Sequence, residues 1–296
     1  VSLPPANWDC FIDDSCVLCL LFEEGEGDTA HDLSRFRNDG TIYGASWVGT
    51  PYGRGLSFDG VDDHVVVPDS PELDITDELT LVAIFRLTGD FPPNVQQEII
   101  NRRQGSTASK QYGMVVYTDG RLRFHYYSTA WHLTYGPLVR GQEYFLGVVT
   151  VDGTDVRVHA NLEVWEGTLP EPLSSFPEAT INIGYDPVGR YMSGEIVFTQ
   201  IYNRVLSTDE IRALYQNFRY GLACYKLISQ VINPLISDTY ERVELIRKIQ
   251  TNRWKIENNQ LIIFDDDGVT PLRVFNLKDK YGNPSEVNVY EREPAE

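Results

Sequence analysis

The chain has 296 residues, 42% of them hydrophobic and 12% aromatic, which is enough to bury a sizeable core and excludes a disordered chain. Its 43 acidic and 25 basic residues give a net charge of −18, which argues against binding a nucleic-acid backbone or an anionic membrane surface. The charge is uneven: residues 222–296 hold 12 acidic and 10 basic residues, and the first 221 hold 31 and 15.

The start, VSLPPANWDCFIDD, has neither a basic n-region nor an apolar h-region. It predicts a chain folded in a cytoplasm, without a signal peptide or membrane insertion, and brought outside, if at all, on a particle. Residues 17–22, VLCLLF, read as a buried strand closed by the turn EEGEGD. Cys16, just before this run, and Cys19, within it, form one C-x-x-C without a second. On a regular strand they face opposite sides, so reduced, buried thiols are expected, with half of a zinc site as the alternative.

Strands follow at 41–48 and 55–67 around Gly-rich turns, and LTLVAIFRL (79–87) is apolar on both faces, as a central strand should be. QEIINRR, YGMVVYT, RLRFHYYS, YFLGVVTV, DVRVHANLEV, TINIGY and GEIVFTQIYN add further strands. TDGR (118–121) and VDGTD (151–155) have hairpin-turn chemistry. In LSTDEIRALYQNF, Ser207 and Glu210 form a capping box, and Ile211, Leu214, Tyr215 and Phe218 mark one apolar helix face. SDTYERVELIRKIQ (237–250) has a second helical pattern. RWKIENNQLIIFDDDGVTPLRVFNL then reads as three short strands. Many short strands with little helix predict a sandwich or barrel.

Three blocks, LFEEGEGDTAHDLSRFRNDGTIYGASW, GLSFDGVDDHVVVPDSPELDITDELTL and GEIVFTQIYNRVLSTDEIRALYQN, resemble the laminin-G-like, concanavalin A-like jelly rolls over residues 16–220. The resemblance implies an all-β fold: a jelly-roll β-sandwich with a C-terminal helix and a small β-meander module. RWKIENNQLIIFDDDGVTPLRVFNLKDKYGNPS resembles a C-terminal module of tailed-phage structural proteins. The expected organisation is an N-terminal arm (1–15), the sandwich (16–221), a helical linker (222–252) and a small β module for oligomerisation or anchoring (253–296).

ELDITDE raises the question of catalysis, because Glu72, Asp74 and Asp77 cluster as glycosidase carboxylates do. Asp77 has the wrong strand parity, and Asp69-Ser70-Pro71 is a turn where a central strand would need an N–H. A solvated turn is the expected reading, with no catalytic residue. Glu24, Asp32 and Asn38 match positions where the resembling family often holds a structural calcium ion. Val197 stands where that family often has Asp, so loop capping is the alternative. Tyr127, Trp131, His132 and Tyr135, with Arg102 and Arg103 from another loop, suit a sugar: rings for its C–H faces and polar groups for its hydroxyls.

The expected protein is a non-enzymatic virion component, a decoration, surface or tail-attachment protein. Its lectin-like sandwich would meet host-surface glycans, and its tail would form a homo-oligomer, possibly a trimer, beside other virion proteins. The alternatives are a non-viral carbohydrate-binding module or adhesin at an extracellular surface, and a glycoside hydrolase.

Overall fold

A computed structural model describes residues 13–88, 96–105, 110–139, 142–227, 254–264, 271–278 and 291–294. In chain order the strands are β1 (Cys16–Leu20), β2 (Thr29–Ala30), β3 (Gly40–Tyr43), β4 (Ser46–Thr50), β5 (Gly53–Asp59), β6 (His64–Val67), β7 (Glu78–Leu87), β8 (Gln97–Arg103), β9 (Lys110–Val116), β10 (Leu122–Tyr127) and β11 (Trp131–Leu133). They continue with β12 (Tyr144–Asp152), β13 (Asp155–Ala160), β14 (Glu163–Thr168), β15 (Thr180–Ile183), β16 (Tyr185–Asp186), β17 (Arg190–Tyr191) and β18 (Ser193–Tyr202). The helix α1 (Thr208–Leu227) follows, then β19 (Trp254–Glu257), β20 (Gln260–Phe264), β21 (Pro271–Lys278) and β22 (Glu291–Pro294).

Two antiparallel sheets make the sandwich. One runs β14-β13-β12-β7-β18-β5-β4, with β1 also on β18; the other runs β11-β10-β9-β8-β15-β6-β3-β2. The apolar run 79–87 forms β7 between β12 and β18, where both faces are covered, and seven residues from Leu79 to Phe85 are buried. Phe85, Tyr112, Phe124, Tyr126 and the aliphatic residues of both sheets fill the core. TDGR and VDGTD turn where their chemistry predicts, with Gly120 at φ 77° and Gly153 at φ 57°.

The capping box closes α1: Ser207 N–H donates to Glu210 Oε2 at 2.7 Å and Glu210 N–H to Ser207 Oγ at 3.3 Å. Ile211 and Leu214 of its first turns are buried. Cys16 and Cys19 depart from strand parity. The register of β1 on β18 slips between Cys16 and Leu18, and this bulge turns both buried thiols to one side, within hydrogen-bonding reach of each other. That contact, together with burial, raises the Cys16 thiol far above its usual range.

The chain divides into two compact units, one of residues 7–216 and one that includes Asn217–Glu296. In the second, β19 to β22 form an antiparallel meander. Asn258 and Asn259 (φ 52° and 59°) make the two-residue hairpin between β19 and β20. Residues 271–278 pair with a fourth strand, β22, which the sequence pattern does not signal. The pattern at 237–250 and the Asp265–Gly268 turn lie outside the described residues, as does the arm up to residue 12.

Asp32 fastens the loop after β1 to the sandwich. It is fully buried. Its Oδ1 accepts from Cys19 N–H (2.7 Å) and Ser34 N–H (2.9 Å), and its Oδ2 accepts from Ser34 Oγ (2.6 Å) and Asn38 N–H (2.8 Å). Asp32→Ala strands several buried donors at once and should cost about 3 kcal/mol or more, read as a lowered urea midpoint with an unchanged m-value.

Candidate functional site

The pleat of the second sheet, with register shifts in β8 between Glu98 and Ile100 and between Arg102 and Arg103, brings polar residues to its outer face. Glu98, Asn101 and Arg103 of β8, Lys110 of β9, His125 of β10 and Asn182 of β15 meet there through their cross-strand neighbours. The β16–β17 hairpin adds Asp186. These seven side chains are buried although they point away from the apolar core.

Lys110 is the hub. Its Nζ lies 2.9 Å from Asp186 Oδ2, 3.2 Å from Glu98 Oε2 and 2.9 Å from His125 Nε2. Arg103 Nη1 donates to Asp186 Oδ1 at 2.7 Å, and His125 Nε2 stands 3.2 Å from Glu98 Oε2. Two cations thus face two carboxylates with little or no exposure. Burial works to raise the Glu98 carboxyl, but the Lys110 ammonium and His125 outweigh it and hold the group ionised. Burial, then the Lys110 ammonium, push His125 below its usual value, so the ring is neutral at pH 7. Gly113 makes room for it: a Cβ there would stand 2.5 Å from His125 Nε2 and 2.9 Å from Asn101 Cβ.

A pocket of about 460 Å³ opens above this network, lined by Gln96, Arg103, Tyr117, His125, Trp131, His132, Leu133, Val188 and Arg190. Trp131 stands on β11, the short edge strand, 48% exposed. Its ring lies over Arg103 (5.3 Å) and meets Tyr127 edge-on (5.5 Å). Arg190 Nη1 donates to Gln96 Oε1 at 3.1 Å and lies 3.6 Å from Asp186 Oδ2.

The expected sugar residues divide. Trp131, His132 and Arg103 line the pocket, and Tyr127 props Trp131. Tyr135, 62% exposed, lies beside it over Arg123, which also stacks on the pocket residue Tyr117. Arg102 is not in the pocket. It and Arg103 belong to strand β8 rather than a loop, so their side chains leave on opposite faces. Arg102 is fully buried and binds Asp69, Asp74, Gln111 and the Phe176 carbonyl. Sequence reasoning missed Glu98, Lys110, Asp186 and Arg190. The available signal was charge inside strand patterns.

The carboxylates of ELDITDE line a second pocket of about 470 Å³, with Glu72, Asp74, Asp77 and Glu78 on its walls beside Asn203. Pro71–Leu73 is a 3-10 turn. Asp74 is held by Arg102, Gln111, Ser175 and Phe176 N–H, and Glu72 accepts from Asn38 Nδ2 at 2.9 Å. Of the expected calcium ligands Glu24, Asp32 and Asn38, Asp32 is taken up by protein donors, whereas Glu24 Oε2 is buried with no hydrogen-bond partner among the described residues. The four donors on Asp32 use all its lone-pair directions, Glu24 Oε1 accepts from His31 N–H, and the Asn38 amide donates to Val17 O and Glu72. The sole carboxylate group of metal-binding compactness among the described residues is Asp59, Asp62 and Asp63. There Asp59 caps Val61 N–H and Asp63 caps Asp59 N–H, which is turn chemistry.

The two sheets and the outer-face pocket define a lectin-like β-sandwich. Residues 59–212, more than half of the chain, match the profile of the concanavalin A-like lectin/glucanases superfamily, and the chain belongs to it. Among solved structures it is similar to the Trypanosoma rangeli sialidase in complex with the inhibitor DANA, at 19% identity and a TM-score of 0.54, over 68% of this chain and 32% of that one. It is also similar to the binding domain of botulinum neurotoxin DC, in complex with rat synaptotagmin II (14% identity, TM-score 0.55, 71% of this chain and 53% of that one). The same domain in complex with SialylT matches at 12% identity and a TM-score of 0.55, over 70% of this chain and 52% of that one. The chain thus spans about a third of the sialidase and about half of the toxin domain; what is shared is the fold. No curated protein matches the sequence.

The depressed His125 value has a consequence for stability. Between its usual value near 6.5 and its lower folded value, the unfolded chain takes up a proton that the folded ring refuses. The contribution of His125 is therefore present above pH 6.5 and lost as pH falls. His159, also lowered by burial, acts in the same direction, while Glu23, pushed up to about 7 by burial, acts in the opposite one. The readout is therefore a difference: the wild-type advantage over His125→Gln in urea denaturation should shrink from pH 7 to pH 5. An advantage independent of pH would mean that His125 binds its proton equally well folded and unfolded, and one that grows toward pH 5 that the folded ring holds the proton more tightly.

Proposed function

We propose that this protein is a carbohydrate-binding module without catalytic activity, with its glycan docked in the Trp131 pocket. The observation that supports this best is the Trp131 ring itself. It is half exposed at the mouth of a polar pocket and fixed between the Arg103 guanidinium and the Tyr127 edge. A sugar presents apolar C–H faces to such a ring and hydroxyls to neighbours such as Gln96, His132 and Tyr117. Because the ring is already held, little side-chain entropy remains to be lost on binding. The sialidase and toxin-domain complexes with sialic acid and SialylT agree with a sugar-handling sandwich.

The rival, a glycoside hydrolase, needs one protonated and one ionised carboxyl on either side of a bond. Glu98 and Asp186 are the carboxylates nearest the pocket, and both are fully buried against cations. Glu98 is held ionised, the opposite of what a general acid needs. Trp131→Ala should lower affinity for glycans retained on an array by at least about tenfold, as loss of a stacking ring does, with the circular dichroism spectrum unchanged. Turnover of those glycans by the wild type, abolished in Glu98→Gln, would support the hydrolase instead.

A finer reading places the module on a virus particle as a decoration or tail-attachment protein, anchored by residues 253–296. It rests on the resemblance of RWKIENNQLIIFDDDGVTPLRVFNLKDKYGNPS to phage structural modules and on the near-neutral balance of 222–296, which lets copies approach with little repulsion. Light scattering should show an oligomer for the full chain and a monomer for a fragment ending at Gly221. Monomers in both cases at micromolar concentration would remove self-association.

A further inference from the structure

The pocket is electrostatically unlike the rest of the chain. In a protein of net charge −18, no carboxylate among the described residues lines it, whereas Arg103 and Arg190 do. The buried layer beneath adds Lys110 against Glu98 and Asp186. Lys110, Arg103 and Arg190 thus face two carboxylates, and His125 is neutral, so one positive charge is left over at the pocket floor.

That surplus is presented by Arg190. Lys110 and Arg103 are fully engaged below. Arg190 has a side chain 43% exposed, with Gln96 as a neutral partner and Asp186 at a longer 3.6 Å. A guanidinium carries five N–H donors in a planar fork, so it retains donors for a second partner. A carboxylate matches that fork bidentately. Low-dielectric walls strengthen the attraction, and the cationic floor focuses it within an acidic surface. Trp131 on one wall is suited to the ring that bears the acid.

We infer that this pocket selects sugars carrying a carboxylate, with Arg190 receiving the acid while the ring stacks on Trp131. The inference rests on the carbohydrate reading above and adds the charge of the ligand. Neutral sugars still stack on Trp131 but leave Arg190 without its anion. A nucleic acid, though anionic, would have to approach an acidic molecule over a far larger surface.

The test uses the full chain and paired probes differing by the acid alone: glucuronate against glucose and galacturonate against galactose at the end of otherwise identical oligosaccharides, and 3′-sialyllactose against lactose. Calorimetry at low salt should show the acidic member of at least one pair binding at least tenfold more tightly, with the preference shrinking as salt rises. Arg190→Gln should erase the preference, so that the two members of the pair bind alike. Arg190→Lys, which retains the charge but not the fork, should restore only part of it. If Arg190→Gln melts below the assay temperature, the Lys variant decides, and a full preference there overturns the bidentate role. Equal affinity within every pair overturns the inference and leaves the carbohydrate reading standing. Binding of neither member removes both. Equal binding of a sulfated neutral partner makes the pocket a general anion site and also overturns the carboxylate assignment.

Discussion

The Lys110 ammonium, sealed between Glu98, Asp186 and His125, is the constraint around which the outer face of the second sheet is arranged. An isolated charge at that depth would be untenable, and removing one partner of such a pair typically costs about 3–5 kcal/mol. The surroundings must therefore supply every counter-group at fixed positions. β8 supplies Glu98 from the neighbouring strand, and the β16–β17 hairpin folds over the sheet to deliver Asp186. Asp186 in turn needs Arg103 for its second oxygen. Gly113 is required because His125 leans across β9 to reach the ammonium. The pocket floor is rigid for this reason, and Trp131 has a fixed guanidinium beneath it.

The same principle operates in the acidic loops. Several carboxylates that look reactive when read in line are taken up by donors once the chain is folded. Asp32 takes four donors, and Asp69 and Asp74 share the buried Arg102. Arg102 ties the loop before β7 to the sheet from within, so Arg102 and Arg103, adjacent in sequence, serve opposite faces of one strand. The strand pleat and a register shift between them separate the two: one secures the fold and the other lines the pocket.

The architecture was legible because its signals are local. The both-face apolar run of β7, the two Asp-Gly hairpins, the capping box of α1 and the Asn-Asn turn of the meander each depend on residues within about ten positions of one another, and each folds as its chemistry predicts. The Cys16–Cys19 parity failed for an equally local reason, a bulge that no residue type between them announces. The site was half legible. Trp131, His132 and Arg103 stand out as residue types suited to sugar. The network under them does not, because Lys110 meets Glu98, His125 and Asp186 across 12, 15 and 76 positions. One sequence fixes no such register by inspection.

Recognition, as proposed for the Trp131 pocket, and bond cleavage make different physical demands on its charges. A hydrolytic carboxyl must change protonation during turnover, so its pKa must lie near the working pH and its oxygen must reach the substrate. Glu98 is driven in the opposite direction and has no exposed atom. A binding site has the converse requirement: charges that stay fixed while a ligand comes and goes, so that no reorganisation opposes docking. Buried charges held in fixed pairs meet that requirement. They also set the polarity of the opening, because the surplus cation must emerge where the cover is incomplete, at the exposed guanidinium of Arg190.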